Sequence, residues 1–351
     1  MPEARVFILY TGGTIGMGHA DPEVPNSPLV PKSWEELQYF MPAITPDGYF
    51  TQGRHIEFEY HSFEQVMDSS QFSSDHWLMM AAEIEKRYDE FDGFIIIHGT
   101  DTMAYTASGL SFILQNLAKP VVLTGSQLPI SHSRSDAITN LSNAIHIAAA
   151  KAFGLEIIPE VCICFNDRVL RGNRSTKAST NDFEGFVSPN YPALAELEQE
   201  INIRKRYVLP MPEKAFSCLR KLNTRVVEIG LFPGLRPEQL ARLVLDQEVE
   251  GLLLRTYGSG NAPCSPEFIG VLEKARENGT IIVFVTQCQE GGVNIGRYGA
   301  SSPFATLGVV SGADMTHEAA LAKMMAVMGL DLPHDETVRL LETDLFGERS
   351  Y

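Results

Sequence analysis

Short apolar runs rich in Val, Ile, Leu and Phe recur along the chain at residues 5–10, 93–97, 121–124, 161–165, 226–230, 251–254 and 281–285. Several are uninterrupted and lack the in–out alternation of a half-exposed strand. They predict strands buried on both faces of a parallel sheet. Between them the apolar positions change period. Trp77, Met80, Ile84 and Tyr88 recur at three- and four-residue steps, as do Leu141, Ile145 and Ala148, which is the spacing of a helix with one apolar stripe. Pro237 before Glu238 predicts a helix start, and Asn278-Gly279 predicts the end of the helix before residue 281. Proline suits the first helical position, and glycine suits the left-handed residue that follows the last. Strand and helix alternate, so the predicted fold class is α/β with mostly parallel sheets and right-handed crossovers.

The alternation stops between residues 188 and 225. Pro189, Pro192, Pro210 and Pro212 gather there with a charged run, Glu196, Glu198, Glu200, Arg204, Lys205 and Arg206, that reads as a solvated face. Linkers collect proline and charge. The expected division is a larger N-terminal domain at 1–200, a linker at 201–224 and a smaller C-terminal α/β domain at 225–351. A length of 351 residues fits two such domains.

Charge narrows the function classes. With 28 basic and 44 acidic residues the net charge is −16, which repels nucleic-acid phosphates and anionic lipid, so neither is an expected partner. The first apolar run is too short for a signal peptide, and nowhere do about 18 apolar residues follow one another. Five cysteines, at 162, 164, 218, 264 and 288, are too sparse for a secreted disulfide scaffold. A cytoplasmic, reduced protein is expected. Cys162 and Cys164 lie two apart on a strand and share a face, where they read as small buried hydrophobes in place of zinc ligands.

Common site patterns fail in turn. Glycines at 12, 13, 16 and 18 miss the GxGxxG spacing, and no P-loop lysine follows them. His317-Glu318 opens like a zincin helix without its second histidine, and no GxSxG elbow exists. His98, beside a strand end, reads as a hydrogen-bonded structural residue. What recurs is glycine plus hydroxyl at three strand ends: Thr11-Gly12-Gly13-Thr14, His98-Gly99-Thr100-Asp101 and Thr124-Gly125-Ser126-Gln127. One such loop fits a helix-capping turn. Three, with Asp101 in one of them, point to a pocket at the carboxyl ends of the strands. A threonine hydroxyl needs a group to take its proton; the candidates are a phenol or a desolvated lysine. Lys177, in the stretch 171–177, would reach Asp101 if its loop folds back over the sheet.

These residues resemble the bacterial-type L-asparaginases, specifically the cytoplasmic type I group. The resemblance runs from residue 6 to about 341. It rests on Tyr10-Thr-Gly-Gly-Thr-Ile-Gly-Met17, Met67-Asp-Ser-Ser70, His98-Gly-Thr-Asp-Thr-Met-Ala-Tyr105, Thr124-Gly-Ser-Gln127, Arg171-Gly-Asn-Arg174 with Lys177, and Leu254-Arg-Thr-Tyr-Gly-Ser-Gly-Asn-Ala-Pro263. It implies two α/β domains with the active site in the larger, N-terminal one. Thr14 is then the nucleophile on the side-chain amide of L-asparagine, with Thr100, Asp101 and Lys177 as the second catalytic set. Asp68, Ser69, Ser70, Thr100, Asp101 and Asn261 are the implied substrate contacts, and backbone N–H groups near Thr14 and Thr100 the implied oxyanion hole. Asn261 would reach a neighbouring subunit's site, in a homodimer or a homotetramer built as a dimer of dimers. No cofactor or metal is called for.

Arg255, Thr286, Gln287 and Cys288 match the family's allosteric asparagine positions. One departure stands out: the family's first loop carries a tyrosine that assists the nucleophile, whereas residues 15–31 contain none. His19, Asp21, Glu23 and Asn26 are its polar candidates, and Tyr39, Tyr49 or a water are the expected substitutes. With Gly16, Gly18, Pro22, Pro25 and Pro28, that loop has the composition of a mobile lid. The rival readings are a glutaminase-asparaginase, a tRNA amidotransferase subunit and a non-catalytic amino-acid sensor.

Overall fold

The computed structural model describes residues 2–21, 24, 27–40, 44–45, 48–51, 53–245, 248–295 and 302–351. Of the first-loop residues singled out above, Pro22, Glu23, Pro25 and Asn26 lie outside that set. The chain divides into two compact units, Met1–Cys218 and Leu219–Tyr351.

The first unit is built on a ten-stranded sheet. Five strands are parallel, in the spatial order Val161–Phe165, Val121–Thr124, Gly93–Ile97, Ala4–Gly12 and Arg54–Met67. Val161–Phe165 and Gly93–Ile97 are buried at every position, as their unbroken apolar runs require. On Ala4–Gly12, Val6, Ile8 and Tyr10 join the core of Leu141, Ala144 and Ile145 from helix Ala137–Ala148. Phe7, the alternate position, meets Phe91 and Phe94. The 14-residue strand Arg54–Met67 has no uninterrupted apolar run; Ile56 and Phe58 alternate with Glu57 and Glu59.

From Ala4–Gly12 the chain first adds a strand on one side, Arg54–Met67, and then crosses to the other side, at Gly93–Ile97. The chain leaving Ala4–Gly12 and the chain leaving Gly93–Ile97 therefore run on to opposite sides, which makes the carboxyl ends of these two strands the topological switch point, where open α/β sheets bind ligands.

The expected linker at 201–224 holds more structure than a connection. Ile201–Ile203 forms the edge of the large sheet, paired with Ala195–Leu197, and Ser217–Cys218 pairs with Leu114–Gln115. Arg204 and Glu196 make an ion pair of 2.6 Å across the edge hairpin. Glu196 and Arg204 thus belong to an exposed sheet edge, where charged side chains discourage further strand pairing.

The second unit is a four-stranded parallel sheet in sequential order, Val226–Gly230, Gly251–Thr256, Ile281–Thr286 and Val310–Ser311. Leu252, Leu254, Ile282 and Phe284 face Leu240, Phe268 and Leu272 of helices Pro237–Val244 and Pro266–Glu277. Leu253, Val283 and Val285 face Ala320, Met324 and Val327 of helix His317–Met328. Both faces are covered, which explains the lack of alternation in these runs. Pro237 opens its helix and Asn278 caps the other, with Gly279 left-handed at φ 91°.

Candidate active site

Three loops leave the carboxyl ends of adjacent strands and touch. Gly13, at φ 93°, turns the chain into the short helical turn Thr14–Gly16. A Cβ at Gly13 would fall on the backbone nitrogen of Gly99, and one at Gly99 would lie 2.5 Å from Ser69 Oγ. Only bare backbone lets the Thr14, Thr100 and Ser69 loops approach this closely. The Thr14 turn is also anchored from outside: Ile130 N donates to Ile15 O at 3.1 Å and Lys32 N to Gly16 O at 2.7 Å. Thr11 donates to Ile97 O and Thr102 to Ser69 O, at 2.9 and 2.8 Å. These hydroxyls tie one loop to the next.

Lys177 folds back over the sheet as its sequence position suggests. It lies on Thr176–Lys177, paired with Phe186–Val187, and its Nζ donates to Thr100 Oγ1 at 2.8 Å and to Asp101 Oδ1 at 2.6 Å. The ammonium is largely enclosed, at 15% side-chain exposure, whereas Asp101 is open at 61%. One cation therefore meets a hydroxyl and a carboxylate, with that carboxylate still accessible from solvent. The segment leading to Lys177 rests on the short turn Gly172–Arg174, next to a buried Arg171–Glu160 pair at 2.5 Å. Arg171 also donates to Tyr207 O at 2.8 Å and lies over the Tyr191 ring at 4.4 Å.

Asp68 caps the turn Ser69–Gln71 by accepting Ser70 N at 2.8 Å. Hydrogen bonds from the Ser70 hydroxyl and N–H, helped by the charge of Lys177, hold the Asp68 carboxyl below its usual range. Ser69 is buried and Ser70 exposed. His98 is wholly buried; its Nδ1 lies 2.6 Å from Gly99 O and its Nε2 2.9 Å from Thr106 Oγ1. Burial pulls its pKa down to about 4. The imidazole is thus a neutral strut beneath the Thr100 loop, as read from the sequence.

The two tyrosines expected to assist Thr14 do other things. Tyr49 is buried, with its hydroxyl 3.3 Å from Ser142 Oγ, and Tyr39 is exposed against Phe40. Tyr10 lies beneath the Thr14 turn, where a Cβ on Gly16 would strike its hydroxyl, and it donates to Lys32 O at 3.0 Å. Burial pushes this phenol well above its usual range, so it stays protonated. Among the described residues, none hydrogen-bonds the Thr14 hydroxyl.

Asn261 lies in the second unit, in a turn where its N–H and C=O pair with those of Tyr257 at 2.9 Å. The proposed effector positions come together in the same unit. Gln287 Nε2 donates to the carbonyls of Leu231 and Arg255, at 2.6 and 2.7 Å, and Cys288 N donates to Thr286 Oγ1 at 3.0 Å. Arg255 Nε is 3.1 Å from Glu228, which is also 3.1 Å from His317 Nδ1. Sequence reasoning missed Glu228, because its strand signal is apolar. His317 serves this ion-pair cluster. Among the described residues, no group of three His, Cys, Asp or Glu could hold a metal ion, and no helix is long and apolar enough to cross a membrane.

Threonine loops, a lysine and an open carboxylate gathered at the switch point of a parallel sheet place this chain among α/β enzymes. The chain belongs to the asparaginase family: the model described as "Asparaginase, N-terminal" matches residues 5–209, and the "Glutaminase/Asparaginase C-terminal domain" matches 225–341. It is 38% identical over 351 residues to L-asparaginase 1 of Escherichia coli K12, covering 99% of this chain and 98% of that protein. It is 37% identical over 366 residues to a 60 kDa lysophospholipase of Mus musculus, covering 99% of this chain and 63% of that protein. The crystal structure of L-asparaginase I from Vibrio cholerae superposes with a TM-score of 0.87 at 39% identity, covering 99% of both chains.

Proposed function

We propose that this enzyme hydrolyses the side-chain amide of L-asparagine, giving L-aspartate and ammonia through a threonine acyl-enzyme. The observation that carries the reading is the Lys177 ammonium joined to both Thr100 and Asp101, on a loop packed against that of Thr14. Thr14 Oγ1 forms a bond to the amide carbon and its proton passes through water to the departing nitrogen, while the Lys177 ammonium holds the proton balance at Thr100. The C–N bond breaks and ammonia leaves. Water then adds to the ester, returns a proton to Thr14 and frees aspartate. Asp101, open to solvent, receives the substrate α-ammonium, while Ser69 with the neighbouring Asp68–Ser70 turn receives the α-carboxylate. Backbone N–H groups of the two glycine loops stabilise the oxyanion.

The wider reading is a cytoplasmic homodimer or homotetramer in which Asn261 serves a neighbouring subunit's site. Cys162 and Cys164, buried as thiols in the apolar core, support the reducing compartment. Asparagine acting as effector would place its carboxylate on Arg255 and its ammonium on Glu228, which already form an opposite-charge pair. Gln287 is committed to two backbone carbonyls and would shape that site by holding Arg255.

Ammonia release from L-asparagine and L-glutamine, measured in parallel, tests the reading. Asparagine turnover is expected to fall by several orders of magnitude in Thr14→Ala and in Thr100→Ala, with the double variant no worse than either, since groups that act as a unit are not additive. Turnover that survives Thr14→Ala would overturn the acyl-enzyme scheme. For regulation, rate against asparagine is expected to be sigmoidal and flattened or right-shifted by Arg255→Ala. A hyperbolic curve with one asparagine bound per chain would remove the effector site alone.

A further inference from the structure

Gln127 ends the third glycine–hydroxyl loop, and its side chain reaches away from that loop to the hairpin carrying Lys177. Its Nε2 donates to Ser179 O at 3.2 Å and to Asp182 O at 2.7 Å. Both carbonyls belong to the turn between Thr176–Lys177 and Phe186–Val187. That turn has its own internal bonds: Ser179 Oγ accepts Asn181 N at 3.1 Å and Asp182 N at 2.9 Å, and Ala178 N donates to Gly185 O at 2.9 Å. The internal bonds set the shape of the turn without setting its position over the sheet. Gln127 joins it to the sheet, packed so closely that a Cβ on Gly185 would lie 2.8 Å from its amide nitrogen.

Gln127 is itself held from below. Its backbone N–H lies 3.1 and 3.0 Å from the two oxygens of Asp136, which also accept Leu128 N and the amide of Asn140. Asn140 is buried in helix Ala137–Ala148; it donates to Gly125 O at 2.9 Å and accepts Asn166 N at 2.9 Å. A continuous set of hydrogen bonds thus runs from a core helix through Asp136 and Gln127 to a point two residues beyond Lys177.

We propose that Gln127 is a positioning residue: its forked amide fixes the 178–185 turn over the sheet so that Lys177 Nζ meets Thr100 and Asp101. The inference rests on the reading of Lys177 as the group that carries the proton at Thr100. Two N–H donors on one planar amide suit two carbonyls of one turn. Glutamate at this position would set a carboxylate against both carbonyls, and methionine would keep the shape with no donor. Displacing a catalytic group by about 1 Å costs on the order of 100-fold in rate, and a turn released at Ser179 moves Lys177 through only two residues.

The test is a double-mutant cycle on ammonia release from L-asparagine, using the full chain, with Gln127→Met, Lys177→Met and the double variant. Thermal midpoints are recorded alongside. Gln127→Met is expected to lower kcat by about 100-fold. The double variant is expected to be no slower than Lys177→Met, because Gln127 acts only through that lysine. Any loss of thermal midpoint from Gln127→Met would persist in both backgrounds, so a merely structural role would not reproduce the collapse of the rate effect. If Gln127→Met does not fold, Gln127→Glu carries the same cycle. Wild-type turnover in Gln127→Met, or losses that multiply in the double variant, would overturn the positioning role while leaving Lys177 catalytic. Wild-type turnover in Lys177→Met would instead overturn the reading of Lys177, and this inference with it.

Discussion

His98 offers a direct physical test of how the Thr100 loop is supported. The ring is enclosed between Gly99 O and Thr106 Oγ1, and burial lowers its pKa from 6.5 to about 4. Each pKa unit is worth about 1.4 kcal/mol, so this difference corresponds to about 3 kcal/mol. The folded-state value lies below the unfolded one, so the unfolded chain takes up the proton first as pH falls. The contribution is absent above pH 6.5, and stability drains away between pH 6.5 and 4, by at most about 1.4 kcal/mol per pH unit. Both tryptophans, Trp34 and Trp77, lie in the first unit, so their fluorescence in urea follows the unfolding of that unit. Comparison with His98→Gln isolates the ring from other titrating groups: a glutamine amide can donate to Gly99 O and accept from Thr106, and it does not protonate. The gap between the two stability curves is expected to change by about 3 kcal/mol from pH 7 to pH 4. Parallel curves, or a His98 proton resonance titrating near 6.5, would refute the argument that this imidazole is a neutral strut.

Gly13→Ala forces a side chain onto Gly99 at φ 93° and should separate the two threonine loops. A fall of about 100-fold or more in kcat/KM is expected, with a folded protein by circular dichroism; activity within a few-fold of wild type would contradict the close packing. In the second unit, Lys323 and Glu348 form a wholly buried pair at 2.6 Å. Lys323→Met strands the carboxylate and should cost about 3–5 kcal/mol, read from amide exchange of helix His317–Met328. Lys323→Met with Glu348→Gln should recover most of that loss, and equal loss in the single and double variants would show that the stranded charge is not its cause.

Much of this architecture is legible in the residues alone. Runs such as 93–97 and 161–165 are apolar at every position because both faces of their sheet are covered, and periodicity reports that covering locally. Cys162 and Cys164 lie in the apolar core, as their shared face indicates. The pairing of Lys177 with Asp101 was inferable as one condition on a loop, and the structure satisfies it. The strand Arg54–Met67 escaped notice because its glutamates interrupt every apolar run, although it delivers Asp68 and Ser69 to the switch point. Edge strand Ile201–Ile203 was hidden in the same way, by the charge that protects an exposed edge.

What the sequence determined by itself was which segments become strands and helices, and that glycine and hydroxyl meet at several strand ends. Which ends are neighbours was decided by tertiary structure. Lys177 and Thr100 are 77 residues apart, and Gln127 and Asp182 are 55 apart. No local propensity spans such distances. They close because the chain crosses from one side of Ala4–Gly12 to the other, which sets the Gly13, Gly99 and Ser69 loops against one another. Only there does it become visible that a methyl group at residue 13 or 99 has no room, and that a threonine, a carboxylate and a lysine share one point.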